Sequence, residues 1–248
     1  ESLCSRWRGP TSLSLWASED AEIPPLETSR CSSFAVRVVR GSGPYPVNYL
    51  RNIAVRASNT SHHLASDLDF LPSLGLRLSL RRMLGKTKVA LVIPAFQRRG
   101  GNCKTVARCR AKVEPLSSIP STFEALVSCL ADKKCQQFQM DNSPGSHSTT
   151  DLGAWLRQDT LRDITCFHTK RYEPYVVVPK NHSPPFDERF VGYGKNKIQH
   201  VSHLRKLGFD FQVVPRHFLI HVPHPRSDDK VSWANDFKRH QAVDVLYD

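Results

Sequence analysis

Two aspartates, Asp67 and Asp69, stand one residue apart in "SHHLASDLDFLPS" (residues 61–73), just before Phe70, Leu71 and Pro72. In an extended chain residues i and i+2 face the same way, so this spacing would bring two carboxylates to one point. That arrangement needs a cation. Hard divalent ions such as Mn²⁺ or Mg²⁺ take oxygen ligands and commonly keep substrate phosphates in their shell. The C-terminal edge of an α/β sheet is where such ligands bind. A bare D-x-D also suits a turn or a helix cap, and the pattern alone does not separate these readings.

A second cluster, "RHFLIHVPHPR" (216–226), places His217, His221 and His224 close together beside Pro223 and Pro225. Imidazole can complete a carboxylate site for Mn²⁺, whereas a single histidine there would be structural. In "FDERFVGYGKNKIQH" (186–200), Gly192 and Gly194 flank Tyr193, which suits a tight turn with close backbone approach to a substrate, and Asp187 and Glu188 are candidate general bases. The G-x-G lacks the third glycine of a dinucleotide fingerprint.

These residues need elements to hold them. "SLSLW", "FAVRVV", "HHLASDLDF", "KVALVIPAF", "PYVVVP" and "FDFQVVP" have the composition of strands. Several are unbroken apolar runs, which predicts a sheet covered on both faces and an α/β fold. "YPVNYLRNIAVRAS" predicts a helix opening near Pro46, with Val47, Leu50, Ile53, Ala54 and Ala57 on an apolar arc and Asn48, Arg51 and Asn52 opposite. Taken alone, that polar side is a solvated face. The basic, glycine-containing stretch 97–112 reads as a mobile loop and 141–151 as a turn-rich segment.

The 35 Lys and Arg against 23 Asp and Glu give a formal charge of +12, which favours acidic partners: nucleic acid, an anionic membrane surface, or small phosphorylated or carboxylated substrates. The basic residues are dispersed and form no nucleic-acid module, which argues against the first. No run of eighteen apolar residues is present. The seven cysteines contain no C-x-x-C, which argues against a zinc module, and their odd number leaves at least one thiol unpaired within the chain. Sequons at Asn59 and Asn181 are compatible with the secretory pathway.

Six blocks, "SRWRGPTSLSLW", "YPVNYLRNIA", "SDLDFLPS", "YEPYVVVP", "DERFVGYGKNK" and "HFLIHVPHP", occur in the order seen in family 49 glycosyltransferases, the group containing the LARGE glucuronyltransferase domain and β-1,4-glucuronyltransferase. The chain resembles that family from about residue 4 to about 226. The resemblance implies a GT-A type fold, a mixed and mostly parallel central sheet flanked by helices. It also implies an inverting, Mn²⁺-dependent transfer (Mg²⁺ being the alternative ion) of glucuronic acid from UDP-glucuronate to a glycan or glycoprotein.

On that basis Asp67 and Asp69 match the metal-binding D-x-D, His221 is the third metal ligand with His224 in reserve, and Asn48 and Arg51 face the donor. Asp187 matches the base position. In many inverting relatives a carboxylate follows the G-aromatic-G turn. Here Asn196 and Lys197 stand there and are taken as donor contacts, with Gly192, Tyr193 and Gly194 beside the substrate. "GSHSTTDLGAW" resembles an acceptor-side stretch, which makes His147 and Trp155 acceptor contacts, although Trp155 suits core packing equally well.

With no internal repeat and no interdomain linker in the sequence, one domain over 1–248 is expected. Residues 1–96 form a donor and metal half, 97–150 a variable loop region, and 151–248 an acceptor half that ends in the metal-ligand segment. The expected setting is the Golgi lumen or secretory pathway, as the ectodomain of a type II membrane protein whose anchor lies outside this chain. A transferase of the same fold using another UDP-sugar and a catalytically silent glycan-binding relative are the competing readings.

Overall fold

The structure is a computed structural model that describes residues 2–26, 31, 33–85, 87–100, 103–112, 118–226 and 228–247. In chain order the elements are α1 (Ser2–Trp7), β1 (Pro10–Ala17), β2 (Ser33–Arg40), α2 (Val47–Ala57), β3 (His62–Leu64), β4 (Phe70–Pro72), α3 (Leu76–Met83), β5 (Val89–Ile93) and β6 (Ala95–Arg98). They continue with α4 (Val106–Ala111), α5 (Phe123–Ala131), β7 (Cys135–Gln137), α6 (Leu152–Trp155), β8 (Arg162–Ile164), β9 (Tyr175–Pro179), α7 (Asn196–Lys206), β10 (Asp210–Val213), β11 (Leu219–His221), α8 (Asp228–Ala234) and α9 (Phe237–Tyr247).

The strands form a five-stranded sheet in the order β3-β9-β5-β10-β8, a four-stranded sheet in the order β4-β11-β6-β7, and a β1-β2 pair. The unbroken apolar runs behave as their composition predicts. Every residue of β5 and β9 is buried, and alternation divides them between two cores. Ala90, Val92, Val176 and Val178 pack on one face with Val201 and Leu204 of α7. Val89, Leu91, Ile93, Tyr175 and Val177 pack on the other with Leu76 and Leu80 of α3.

Strand direction departs from expectation. Among the described residues only β1-β2, β5-β10 and β6-β11 pair in parallel, against five antiparallel pairs, so the fold is mixed α/β but not mostly parallel. The mostly parallel sheet is what the resemblance implies; apolar patterning reports burial on two faces and is blind to direction, so it cannot correct that expectation.

Two strands expected to be continuous are broken. Pro94, which has no N–H for the ladder, divides "KVALVIPAF" into β5 and β6 and passes the chain from one sheet to the other. "HHLASDLDF" splits into β3 and β4 around a turn at Leu68–Asp69, so Asp67 and Asp69 lie in a connection and not on an extended strand end. The supposed loop 97–112 holds the end of β6, a Cys103–Cys109 disulfide and α4, and α5 and β7 fold within the supposed variable region. Residues 101–102 lie outside the described ones. Cys4–Cys31 and Cys129–Cys135 are also bridged, and Cys166 is free and exposed.

Burial makes the fold acid-sensitive. Desolvation pushes His63 down to about 4, and His147 and His200 down to about 3. His200 stacks on Phe186 at 3.9 Å, and neither of its ring nitrogens has a hydrogen-bond partner. In the unfolded chain such groups titrate near 6.5, so between that pH and their folded values the unfolded state binds more protons. Stability should therefore be full above about pH 6.5 and fall as acid is added, at up to about 1.4 kcal/mol per pH unit for each histidine. Denaturant titrations across this range check it. His200→Phe, which keeps a ring on Phe186, should remove about one proton from the slope, and an unchanged slope would contradict the assignment.

Candidate metal and donor site

Sheet register builds the first half of the site. β11 runs antiparallel to β4 with His221 opposite Phe70, so the residue before β4, Asp69, meets the chain leaving β11, and Val222 N–H donates to Asp69 O at 2.6 Å. The Asp69 carboxylate then lies 2.9 Å from His221 Nε2 and 2.8 Å from His224 Nε2, both at Oδ2. His224 Nδ1–H donates to Pro225 O at 2.7 Å, which turns Nε2, the other ring nitrogen, toward Asp69. His221 is packed against the touching rings of Phe70 (5.3 Å) and Phe138 (5.1 Å).

These three side chains offer ligand atoms within 4.8 Å of one another. Asp69 Oδ1 is buried and has no hydrogen-bond partner, an orphaned acceptor of the kind a cation satisfies. One carboxylate with two imidazoles is a donor set that accepts Mn²⁺, so the residues present fit the ion. Burial disfavours ionisation of Asp69, but hydrogen bonds from the two histidines outweigh it and hold the carboxyl at about 2.

Asp67 is built differently. Its Oδ1 accepts from Arg51 at 3.2 Å, and its Oδ2 accepts from Tyr175 OH and Lys197 Nζ, each at 2.9 Å. The two cations outweigh desolvation and keep its carboxyl well below the usual range. Lys197 also contacts Tyr175 OH at 3.1 Å and lies 4.6 Å from that ring's centre. Its ammonium is raised despite burial, by Asp67 and Glu173. Two cations on one carboxylate leave a net positive patch, suited to phosphate or carboxylate. Asp67 is not among the three residues gathered around Asp69.

Arg51 is set by α2. The face expected to be solvated is buried: Asn48 is 0% and Asn52 4% exposed. Buried amides need partners, and segment 186–188 supplies them. Asn48 donates to Asp187 O at 2.8 Å. Asn52 donates to Phe186 O and Glu188 Oε1, and accepts from Phe186 N–H. Arg51 then spans Asn48 Oδ1 (3.0 Å), Asn196 Oδ1 (2.7 Å) and Asp67. Lysine keeps the charge but cannot make that planar three-way fork. Arg51→Lys should lower catalytic efficiency by about tenfold, the scale of one lost charge-assisted hydrogen bond, with little change in the melting curve. Wild-type steady-state kinetics would contradict this role.

Several residues fall elsewhere than expected. Trp155 is 0% exposed, donates to Val214 O at 2.9 Å and packs on Phe96 and Phe123; it is core and cannot touch an acceptor. His147 is 3% exposed and lies in the packing behind the site, stacked 6.3 Å from Tyr175, so it supports that ring and offers no open contact. Asp187 is chelated by Arg189 at 2.6 to 3.2 Å, and those bonds lower its carboxyl. A base needs a proton affinity near the working pH, and a carboxylate held this way lacks it.

Gly192 donates its N–H to Tyr45 O at 2.6 Å. Gly194 has φ 111°, and a Cβ there would overlap the Trp233 ring. Tyr193 is 40% exposed beside Trp233. Lys195 pairs with Asp244 at 3.0 Å and caps the Tyr247 ring. Sequence reasoning missed Tyr175 and Asn52: the first stands inside an apolar strand run and the second on a face that looked solvated.

A mixed α/β domain with sheets between helices and this cluster in the connections at their edges has the architecture of a GT-A glycosyltransferase. The chain belongs to glycosyltransferase family 49: residues 26–243 match the family described as "Glycosyl-transferase for dystroglycan". It is 34% identical over 244 positions to a mouse protein named xylosyl- and glucuronyltransferase LARGE2, 36% over 245 positions to the rat LARGE2, and 34% over 243 positions to zebrafish xylosyl- and glucuronyltransferase LARGE1. Each match spans 92% of this chain but only 30 to 33% of the relative, so the chain covers about a third of their length.

Proposed function

We propose that this domain is an inverting glycosyltransferase that moves glucuronic acid from UDP-glucuronate to a glycan or glycoprotein acceptor, with Mn²⁺, or Mg²⁺ in its place, held by Asp69, His221 and His224. The observation that carries the reading is the pairing of an orphaned Asp69 oxygen beside two imidazoles with a second, positive cluster around Asp67. A cation bound at the first cluster supplies charge for the donor's diphosphate as UDP departs.

The chain's own residues do the rest. Lys197 and Arg51 face the donor with two positive groups that Asp67 holds in place, and either can meet a phosphate or the uronate carboxylate. The buried Asn48 and Asn52 fix α2 against segment 186–188, so Arg51 does not have to be ordered during binding. For Asp187 to accept the acceptor hydroxyl's proton, Arg189 must first release it. Inversion needs no covalent intermediate on the protein. Three disulfides fit an oxidising compartment, which supports the Golgi lumen as the setting. Among the described residues no helix is long and apolar enough to cross a membrane.

The relatives' names join xylosyl to glucuronyl transfer, which favours another UDP-sugar as the second reading. A screen of UDP-sugars with Mn²⁺, with and without simple glycosides, tests both. UDP release above background from UDP-glucuronate, abolished by chelator, is the expected result. Release from a different donor alone selects the second reading. No release from any donor, with Mn²⁺ shown to bind, would leave a silent glycan-binding member and overturn the proposal.

A further inference from the structure

Away from the Asp69 cluster the molecule has a cleft of about 420 Å³, within the range of small-ligand sites. Its basic groups come from two elements: Lys170 from the loop before β9, and Arg205 and Lys206 from the end of α7. Phe167 and Tyr247 supply aromatic surface, and Thr169 and Ser202 supply hydroxyls. No carboxylate among the described residues lines it.

The walls are organised. Arg205 stacks 4.8 Å over the Phe167 ring, which in turn rests on Tyr172 and Phe211. Ser202 Oγ and Tyr247 OH lie 3.1 Å apart and join α7 to α9. One helix connects this cleft to the donor cluster: α7 begins with Asn196 and Lys197 and ends at Arg205 and Lys206, a separation of about 12 Å along its axis at 1.5 Å per residue.

We propose that this cleft binds an anionic sugar unit of a glycan chain. The convergence of three cations and two hydroxyls in one concave site walled by aromatic rings carries it. Cations pair with a carboxylate or sulfate, hydroxyls exchange hydrogen bonds with sugar hydroxyls, and the ring surface that Arg205 and Lys195 leave uncovered adds apolar contact for a pyranose. Nucleic acid is the less favoured occupant, because its binding calls for a basic groove that tracks a run of phosphates, and this is a single compact pocket. Naming the ligand a glycan rests on the glycosyltransferase reading above. The ligand's negative charge rests on the cleft alone.

The test is calorimetric titration of the whole chain, at low and high salt, with a uronate-containing oligosaccharide, a sulfated one, a neutral one of equal length, and single-stranded DNA. We expect an acidic oligosaccharide to bind and the neutral one not to. Affinity should fall by about tenfold or more in Lys170→Ala/Lys206→Ala, which removes two charge-assisted contacts, and in Tyr247→Ala. Whichever acidic oligomer loses more in these variants identifies carboxylate or sulfate as the group held.

Thermal melts should be unchanged in Lys170→Ala/Lys206→Ala, and UDP release from donor alone should be unchanged in both variants. Absence of release from the wild type would count against the enzymatic reading and not against the cleft. Equal affinity in wild type and variants, equal binding of the neutral sugar, indifference to Tyr247→Ala, or variant-sensitive binding of DNA alone would each overturn the proposal.

Discussion

Asp69→Asn should reduce metal-dependent UDP release by about 100-fold or more, the scale of removing one electrostatic contact from a transition state, while the melting temperature stays close to that of the wild type. Asparagine keeps the shape but removes the charged oxygen on which His221 and His224 converge, and a neutral amide oxygen is a much weaker ligand for a hard cation. The fold loses little, since the asparagine amide oxygen can still accept from His221 and His224, and Asp69 Oδ1 has no hydrogen-bond partner to lose. Between the histidines, His221→Ala should cost about tenfold or more in metal affinity and His224→Ala less. His221 is fixed by strand pairing and is 18% exposed, against 49% for His224. Steady-state kinetics with a thermal melt check the first effect. An unfolded Asp69→Asn protein would mean that the residue is structural, and a larger loss in His224→Ala would reverse the order of the two ligands.

Asp67→Asn should also lower turnover by about 100-fold, but by another route. It leaves Arg51 and Lys197, 14% and 21% exposed, without the carboxylate that holds them and with mutual repulsion in its place. Breaking one partner of a buried pair is strongly destabilising. Here the Asp67 side chain is 40% exposed, and solvent screening brings the expected loss down to about 1–2 kcal/mol. Mn²⁺ affinity should stay within about threefold of the wild type, since Asp67 supplies none of the three converging atoms. Lost turnover with a wild-type denaturation midpoint would show that the Asp67 cluster contributes nothing to folding.

Much of this was legible in the residues. The runs "KVALVIPAF" and "PYVVVP" announce two-sided burial, and β5 and β9 deliver it. The order of the D-x-D and histidine blocks marks two segments that the β4-β11 pairing brings together. What could not be read is tertiary. The polar side of α2 looked solvated because amphipathic patterning cannot tell water from a neighbouring backbone that offers the same hydrogen bonds. Trp155 stands in a segment rich in Ser, Thr and Gly, which hid its burial. Tyr175 looked like one more strand residue, and only the packing of β9 beside β3 turns its hydroxyl toward Asp67. Direction within the sheets was invisible for the reason already given: burial patterns carry no sense of strand polarity.

The central claim is that the two aspartates divide the work, Asp69 holding the cation with the histidines and Asp67 holding the cationic side chains. Mn²⁺ titration of the wild type, Asp67→Asn and Asp69→Asn proteins, followed by the loss of the free ion's paramagnetic resonance signal in the absence of any donor, tests it directly. The account predicts near-wild-type binding by Asp67→Asn and an affinity about tenfold or more lower for Asp69→Asn. Equal losses in both variants, or a greater loss in Asp67→Asn, would contradict it.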